Sequence, residues 1–328
     1  MKRRFLEEII AALLCISLFL GLSLYAGRAL MPEPEGYTAH WEQYAEEPEN
    51  SIDVLVFGSS LAYCDVIPAT IYAASDLTSY VMADPEQTLS VTYYYLKECL
   101  KTQSPQLILL EGTSLLFDEF ESYATANVAY MPYSLNRIQA AYFAAPAEDR
   151  RELLFPMYAY HSRWDDVPLS TFLPEKHTTD PLAGYVYLSD ATAQEERTAR
   201  IMDVSQEIFQ ENVEYLRKIQ SLCSRENIQL VLFFSPVFQY IPEERMAHIL
   251  AAADALPILD YNRCFDDLPL DPDTDFYDYL HLNVSGAQKF SVILAGDLLT
   301  FCQPRPTATD ADLWSCRVSY LQTLQGQE

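Results

Sequence analysis

The stretch VLVFGSSLAYCD, Val54 to Asp65, opens as an unbroken apolar run and halts at a glycine followed by two serines. An apolar run of this length bounded by turn residues reads as a strand buried on both faces. Gly-Ser-Ser closes a strand well as ordinary turn chemistry. The same position, the carboxyl tip of a strand in an open α/β sheet, is also where such sheets place their ligands. The stretch therefore carries two readings, a turn or a displayed nucleophile.

Four more short apolar runs repeat the pattern, at Thr78–Met82, Gln106–Leu110, Gln229–Phe234 and Pro257–Leu259, alongside the first at Asp53–Phe57. Helical periodicity separates several of them, in LSVTYYYLKECLKTQ and SQEIFQENVEYLRKIQSLCSRENI. Strands alternating with amphipathic helices predict an α/β fold with a parallel sheet covered on both faces. A last helix is expected near Ser285, and NVS at Asn283 is read as its cap rather than a glycosylation site. The tyrosine run in VTYYYLKE is read as core packing rather than an aromatic platform.

The N-terminus follows different rules. Lys2, Arg3 and Arg4 precede an uncharged stretch from Ile9 to Gly27, about 19 residues and long enough to cross a hydrocarbon core. The expected layout is a cytoplasmic basic segment at 1–8, a transmembrane anchor at 9–27 and an exported remainder, by the excess of basic residues before the span. A cleaved signal peptide is the alternative; its apolar core is usually shorter and ends at a small-residue site. Residues 28–50 are acidic and punctuated by proline, and read as a stalk with little structure of its own. A domain at 51–302 and a tail at 303–328 complete the division. Within the domain, residues 116–202 break the strand–helix alternation and are expected to form a helical insertion over one end of the sheet.

The 328 residues carry a formal net charge of −26, and the first 28 are its basic part. Such a field repels nucleic acid, so no nucleic-acid partner is expected. Of seven cysteines, none forms a C-x-x-C pair, and Cys302–Cys316 is the one candidate bridge. No histidine–carboxylate spacing suits a metal, and no glycine-rich nucleotide loop occurs, so no cofactor is expected.

The nucleophile reading gains weight from DTDFYDYLHLNVSGAQKFS, far along the chain. Histidine is scarce, five in all, yet His281 stands three residues after Asp278 at the start of the last helix. A serine nucleophile needs a base, and the base needs a group to fix its tautomer and stabilise the imidazolium. An Asp-x-x-His turn supplies both. In a doubly wound sheet the loop before the last helix shares an edge with the tip of the first strand, so Ser60 and His281 are expected to meet.

Gly58-Ser59-Ser60-Leu61 after the first strand, together with Asp278-x-x-His281 before the last helix, resembles the SGNH (GDSL-type) hydrolase superfamily. HSRW, His161 to Trp164, looks like a segment of its membrane-anchored branch, which includes cell-envelope acyl-handling proteins of Gram-positive bacteria. The resemblance implies a three-layer α/β/α fold with a five-stranded parallel sheet and a serine esterase or O-acyltransferase. It gives Ser60 as nucleophile, His281 as base and Asp278 as its orienting carboxylate. Ser59 stands where the superfamily usually has aspartate and is read as a turn former. The oxyanion hole would draw on the backbone N–H groups of Ser60 and of Ala83, which replaces a family glycine. The family's asparagine is missing from LILLEGTSLLF, and Thr113, Ser114 or Gln87 are the substitutes at hand. Losing one such donor costs roughly 10²–10³ in rate, so a weak or inactive binding and assembly protein is the rival reading.

The expected substrate is an acyl ester of a cell-envelope glycan or related polymer, and the expected partners are the bilayer and a membrane-bound acyl-transfer protein. His161 and Arg163 are candidates for substrate binding, with salt-bridging of the insertion as the alternative. His40, His177 and His248 are read as surface residues.

Overall fold

The computed structural model describes residues 2–32, 40–173, 177–200, 202–305 and 311–326. Helices α1 (Lys2–Leu30) and α2 (His40–Tyr44) precede strand β1 (Val54–Phe57). After it come α3 (Ser60–Tyr63), α4 (Pro68–Ser75), β2 (Ser79–Val81), α5 (Leu89–Cys99) and β3 (Leu107–Glu111). Four short helices follow: α6 (Ala124–Ala129), α7 (Leu135–Phe143), α8 (Arg150–Leu154) and α9 (Pro156–Tyr160). The chain then runs through α10 (Gln206–Arg225), β4 (Gln229–Phe234), α11 (Glu243–Ala253), β5 (Ile258–Asp260), α12 (Val284–Leu298) and α13 (Ala311–Gln325).

All five strands pair in parallel, in the order β2-β1-β3-β4-β5. Alternation along each strand divides the apolar residues between two cores. Leu55, Phe57, Ile108, Leu110, Leu232 and Phe234 face α5 and α10, which contribute Leu96, Leu216 and Ile219. Val54, Val56, Leu107, Leu109, Val231 and Phe233 face α4 and α12, which contribute Ile71, Phe290 and Leu294. The result is the expected three-layer α/β/α arrangement. The strand order reverses between β1 and β3, the topological switch point at which open α/β sheets bind ligands, and Ser60 follows the tip of β1 there.

α1 holds one stretch, Arg4–Leu30, long and apolar enough to cross a membrane. The stalk expected at 28–50 is structured from residue 40 onward; residues 33–39 of it lie outside the described residues. His40, Trp41 and Tyr44 of α2 are buried, and Trp41 packs edge-on against Tyr95 of α5 with ring centres 4.8 Å apart. His40 is thus an interior residue, its Nδ1 3.4 Å from buried Asp84 Oδ1. His248 is exposed as expected, while His177 Nδ1 approaches Glu42 Oε2 at 3.6 Å. The tail, apart from residues 306–310 and 327–328 outside the described set, is also part of the fold. α13 buries Trp314, Arg317 and Leu321, and Trp314 stacks on Tyr72 of α4 at 5.3 Å.

The insertion is helical only as far as Phe172, and α7 packs on α5 rather than over the sheet's end. Its return from 177 is irregular and turns at residues 181–184 against β2: Val81 N–H donates to Ala183 C=O at 2.9 Å. Gly184, at φ +87°, lies so close to Val81 that a Cβ would stand 2.0 Å from its carbonyl oxygen. All seven cysteines are free thiols. Cys302 is buried and Cys316 exposed, so the bridge considered between them is not made.

Candidate active site

Gly58 ends β1 at φ +156°, and a Cβ there would lie 2.5 Å from Cβ of Glu111 on the neighbouring strand. A side chain would be strained in that backbone and would collide besides. The chain turns immediately into α3, with Ser60 as its first residue and the carbonyl of buried Ser59 accepting from Ala62 N–H at 2.9 Å. Ser59 is a turn residue, as read. The Ser60 N–H, in the first turn of a helix, has no intrahelical acceptor.

The partner loop is built as a clasp. Phe276 and Leu282 form an antiparallel bridge around it, and Tyr277 N–H donates to His281 C=O at 3.0 Å. Asp278 Oδ1 accepts the N–H groups of Leu280 at 2.7 Å and His281 at 2.9 Å. Asn283 caps α12 through Ser285 and Gly286, at 3.1 and 3.2 Å. Asp275 braces the base of the loop, with Lys289 Nζ at 2.6 Å from its Oδ2.

The two ends meet. His281 Nε2 lies 2.7 Å from Ser60 Oγ, and His281 Nδ1 lies 3.0 Å from Asp278 Oδ2. Burial pulls the pKa of His281 down, but the Asp278 hydrogen bond and the charges of Asp65 and Asp278 outweigh it, and the net shift is upward. For Asp278, burial acts to raise the pKa, yet the bonds from His281 and the loop amides carry it below the ordinary carboxylate value. This polarity suits an imidazole that takes a proton from a hydroxyl while a carboxylate stays ionised behind it.

The substitute oxyanion donors fare differently. Ala83 is buried just beyond the end of β2. Thr113 gives its hydroxyl to Glu111 Oε1, and Ser114 gives its own to Glu111 C=O at 3.0 Å. Gln87 donates from Nε2 to Thr92 Oγ1 at 2.8 Å. The two hydroxyls are thus already spent within the fold, and Gln87 is committed in part. His161 and Arg163 are also employed elsewhere. Arg163 Nη1 donates to Leu30 C=O at 2.7 Å, closing the carboxyl end of α1, and His161 Nδ1 sits 2.9 Å from Tyr158 C=O. Both contacts serve the structural alternative of the two roles weighed for this pair.

Three charged residues absent from the sequence reading surround the pair. Asp65, completely buried, accepts Leu282 N–H at 2.9 Å through Oδ1. Burial pushes its pKa up to about 7 against the opposing pull of the His281 charge. Glu111 beneath Gly58 is likewise buried and pushed up to about 7 by desolvation, with Thr113 opposing. Arg200 joins the rim through its N–H, which donates to Tyr240 C=O at 2.8 Å, and Gln239 N–H next to it reaches Tyr279 C=O at 3.1 Å. The Arg200 charge acts on Glu111 and His281. Only Asp65, five residues after Ser60, carried a local signal: an acid within an otherwise apolar stretch.

Asp65 yields a two-sided expectation. Its raised pKa means stability is full below the ordinary carboxylate range and is lost as pH rises through about 7. Asp65→Asn should remove that loss, a gain on the order of 4 kcal/mol at most at pH 8 and none at pH 4. Removing the Asp65 charge should also lower the pKa of His281. The acid limb of a pH–rate profile should then move to lower pH. Urea titrations and kcat/KM at both pH values check this, and an unmoved acid limb would separate Asp65 from His281.

A cavity of about 670 Å³ opens at the opposite, amino end of the sheet among Gln106, Asn227 and Gln229, and holds none of these groups. Among the described residues no cluster of three or more His, Cys, Asp or Glu side chains is arranged to hold a metal. No family model matches the chain, and no curated protein matches it. Among solved structures it is similar to one described as a "putative acylhydrolase" from Bacteroides fragilis, at 11% identity over 80% of this chain and 96% of that chain, with a TM-score of 0.36. A likeness this remote carries nothing about function.

Proposed function

We propose that the protein is an exported serine acyl-hydrolase or O-acyltransferase of the SGNH type, tethered to the membrane by α1 and acting on acyl esters of a cell-envelope glycan or related polymer. The observation that carries this reading is the 2.7 Å contact between Ser60 Oγ and His281 Nε2, backed by Asp278 at 3.0 Å. In the proposed reaction Ser60 Oγ attacks the ester carbonyl carbon as His281 Nε2 takes its proton. The carbonyl oxygen becomes an oxyanion, held by the N–H groups of Ser60 and Ala83. Arg200 supplies positive charge to the same cleft, in a structure whose third block lacks the family's asparagine. Collapse expels the alcohol, which receives the proton from His281. Water or a sugar hydroxyl, deprotonated by the same imidazole, then releases the acyl group from Ser60.

The envelope substrate follows from the tether, which confines the site to targets near the membrane. The test is covalent. The full-length protein in detergent should label stoichiometrically with a fluorophosphonate, and Ser60→Ala should not label. Labelling of the variant equal to that of the parent would end the serine assignment.

The second reading, a binding or assembly protein of the envelope that keeps the fold without the rate, is favoured by one observation. Thr113 and Ser114 donate within the fold rather than toward the nucleophile. Under it, Ser60→Ala and His281→Ala would leave the cellular phenotype intact.

A further inference from the structure

The carboxyl end of α1 is gripped by the insertion. Gly27 packs so closely on α9 that a Cβ would lie 2.5 Å from Met157 N. Arg163 closes Leu30 C=O at 2.7 Å, and Tyr25 Oη donates to Phe172 C=O at 2.5 Å. Trp164 stacks on Phe172 with centres 5.4 Å apart and planes inclined by 9°. Domain and helix are therefore joined by direct packing as well as by the chain that follows Leu30.

That junction has a fixed height. The uncharged run of α1 ends at Gly27, and about 20 helical residues cross the roughly 30 Å hydrocarbon core. Gly27, and the α9 backbone against it, thus stand at the edge of the acyl chains. Residues 25–30 span only about 7 Å of helix axis, so everything bonded to them lies within the headgroup layer. On the segment held there, Phe155, Tyr158, Trp164 and Leu173 are exposed, and Tyr25 is exposed on α1 beside them. Aromatic side chains of this kind are enriched where bilayer meets water.

We infer that residues 155–173 form a second membrane-binding element, docked on the lipid interface around the exit of α1 through Phe155, Tyr158, Trp164 and Leu173. The occupant of this apolar face is lipid. Asp165 and Asp166 are exposed on the same segment, so the attraction is apolar and needs no anionic lipid. The inference rests on α1 crossing the bilayer, and it adds a fixed stance to a simple tether: the domain lies against the membrane instead of swinging above it.

The chain carries its own reporters. Of its three tryptophans, Trp41 and Trp314 are buried and Trp164 is half exposed. Cys15 lies within the span of α1 and is exposed in the isolated chain. The full-length protein, with Cys264→Ser and Cys316→Ser, would be placed in phosphatidylcholine nanodiscs. The lipids would be unbrominated, brominated high on the acyl chain, or brominated near its end. The expected result is a blue-shifted emission quenched most by the shallow bromine, with that quenching lost in Trp164→Phe. Cys15 should resist aqueous maleimide in the same discs. Unquenched, red emission with Cys15 protected would overturn the docking element while leaving the span intact. A freely reactive Cys15 would overturn the span itself, and the docking with it.

Discussion

Ser60→Ala should reduce turnover of an activated ester by about 10⁶-fold, and Asp278→Asn by about 10⁴-fold. The two losses have different origins. The first removes the attacking oxygen. The second leaves every atom of the clasp near its place, because an asparagine oxygen can still accept from Leu280 and His281, which now reach Asp278 Oδ1 at 2.7 and 2.9 Å. An amide turned that way offers its NH2 to His281 Nδ1, which favours the tautomer whose proton sits on Nε2. Such an imidazole cannot accept the proton of Ser60. Burst and steady-state kinetics on a nitrophenyl ester would read both. Asp278→Asn within tenfold of the parent would remove the aspartate from the mechanism, and Ser60→Ala within tenfold would remove the mechanism.

The second large effect lies far from the site. Arg317 of α13 and Glu47, just beyond α2, form an ion pair with side chains only 1% exposed. Arg317 also donates from Nε to Asp180 C=O at 3.0 Å and lies over the Trp314 ring at 4.5 Å. Glu47→Ala leaves a buried guanidinium without its carboxylate partner, at an expected cost of about 3–5 kcal/mol. Replacing both residues with methionine should recover most of that loss, since an apolar pair of similar volume needs no desolvated charge. Urea unfolding of the two variants checks the prediction. A loss below about 1 kcal/mol for Glu47→Ala would mean that the pair is solvated.

The strands were legible because each is a short apolar run with both faces buried, so composition alone marks it. Gln229–Phe234 matches the structure residue for residue, and the other four differ by one residue at one or both ends. The Ser60–His281–Asp278 contact was legible for another reason: strand tip and final loop are brought to one edge by the winding of the sheet. What escaped was whatever depends on a distant partner of no local pattern. Segment 40–47 reads as acidic linker because Glu42, Glu46 and Glu47 dominate it. Yet His40, Trp41 and Tyr44 make one buried face, and Glu47 is met by an arginine 270 positions away. Arg200 likewise has no motif; an irregular return segment delivers it. For Arg163 the sequence leaves substrate binding and structural tying of the insertion level, because the helix end that it closes has no local pattern.

The unbridged sulfurs have a practical corollary. With four of the seven cysteines sealed in the interior and none crosslinked, the architecture owes nothing to oxidation. Dithiothreitol should leave its melting temperature unchanged. Material made in a reducing cytosol should fold as well as material sent to an oxidising compartment, so secretion machinery that forges covalent staples is dispensable for making this molecule.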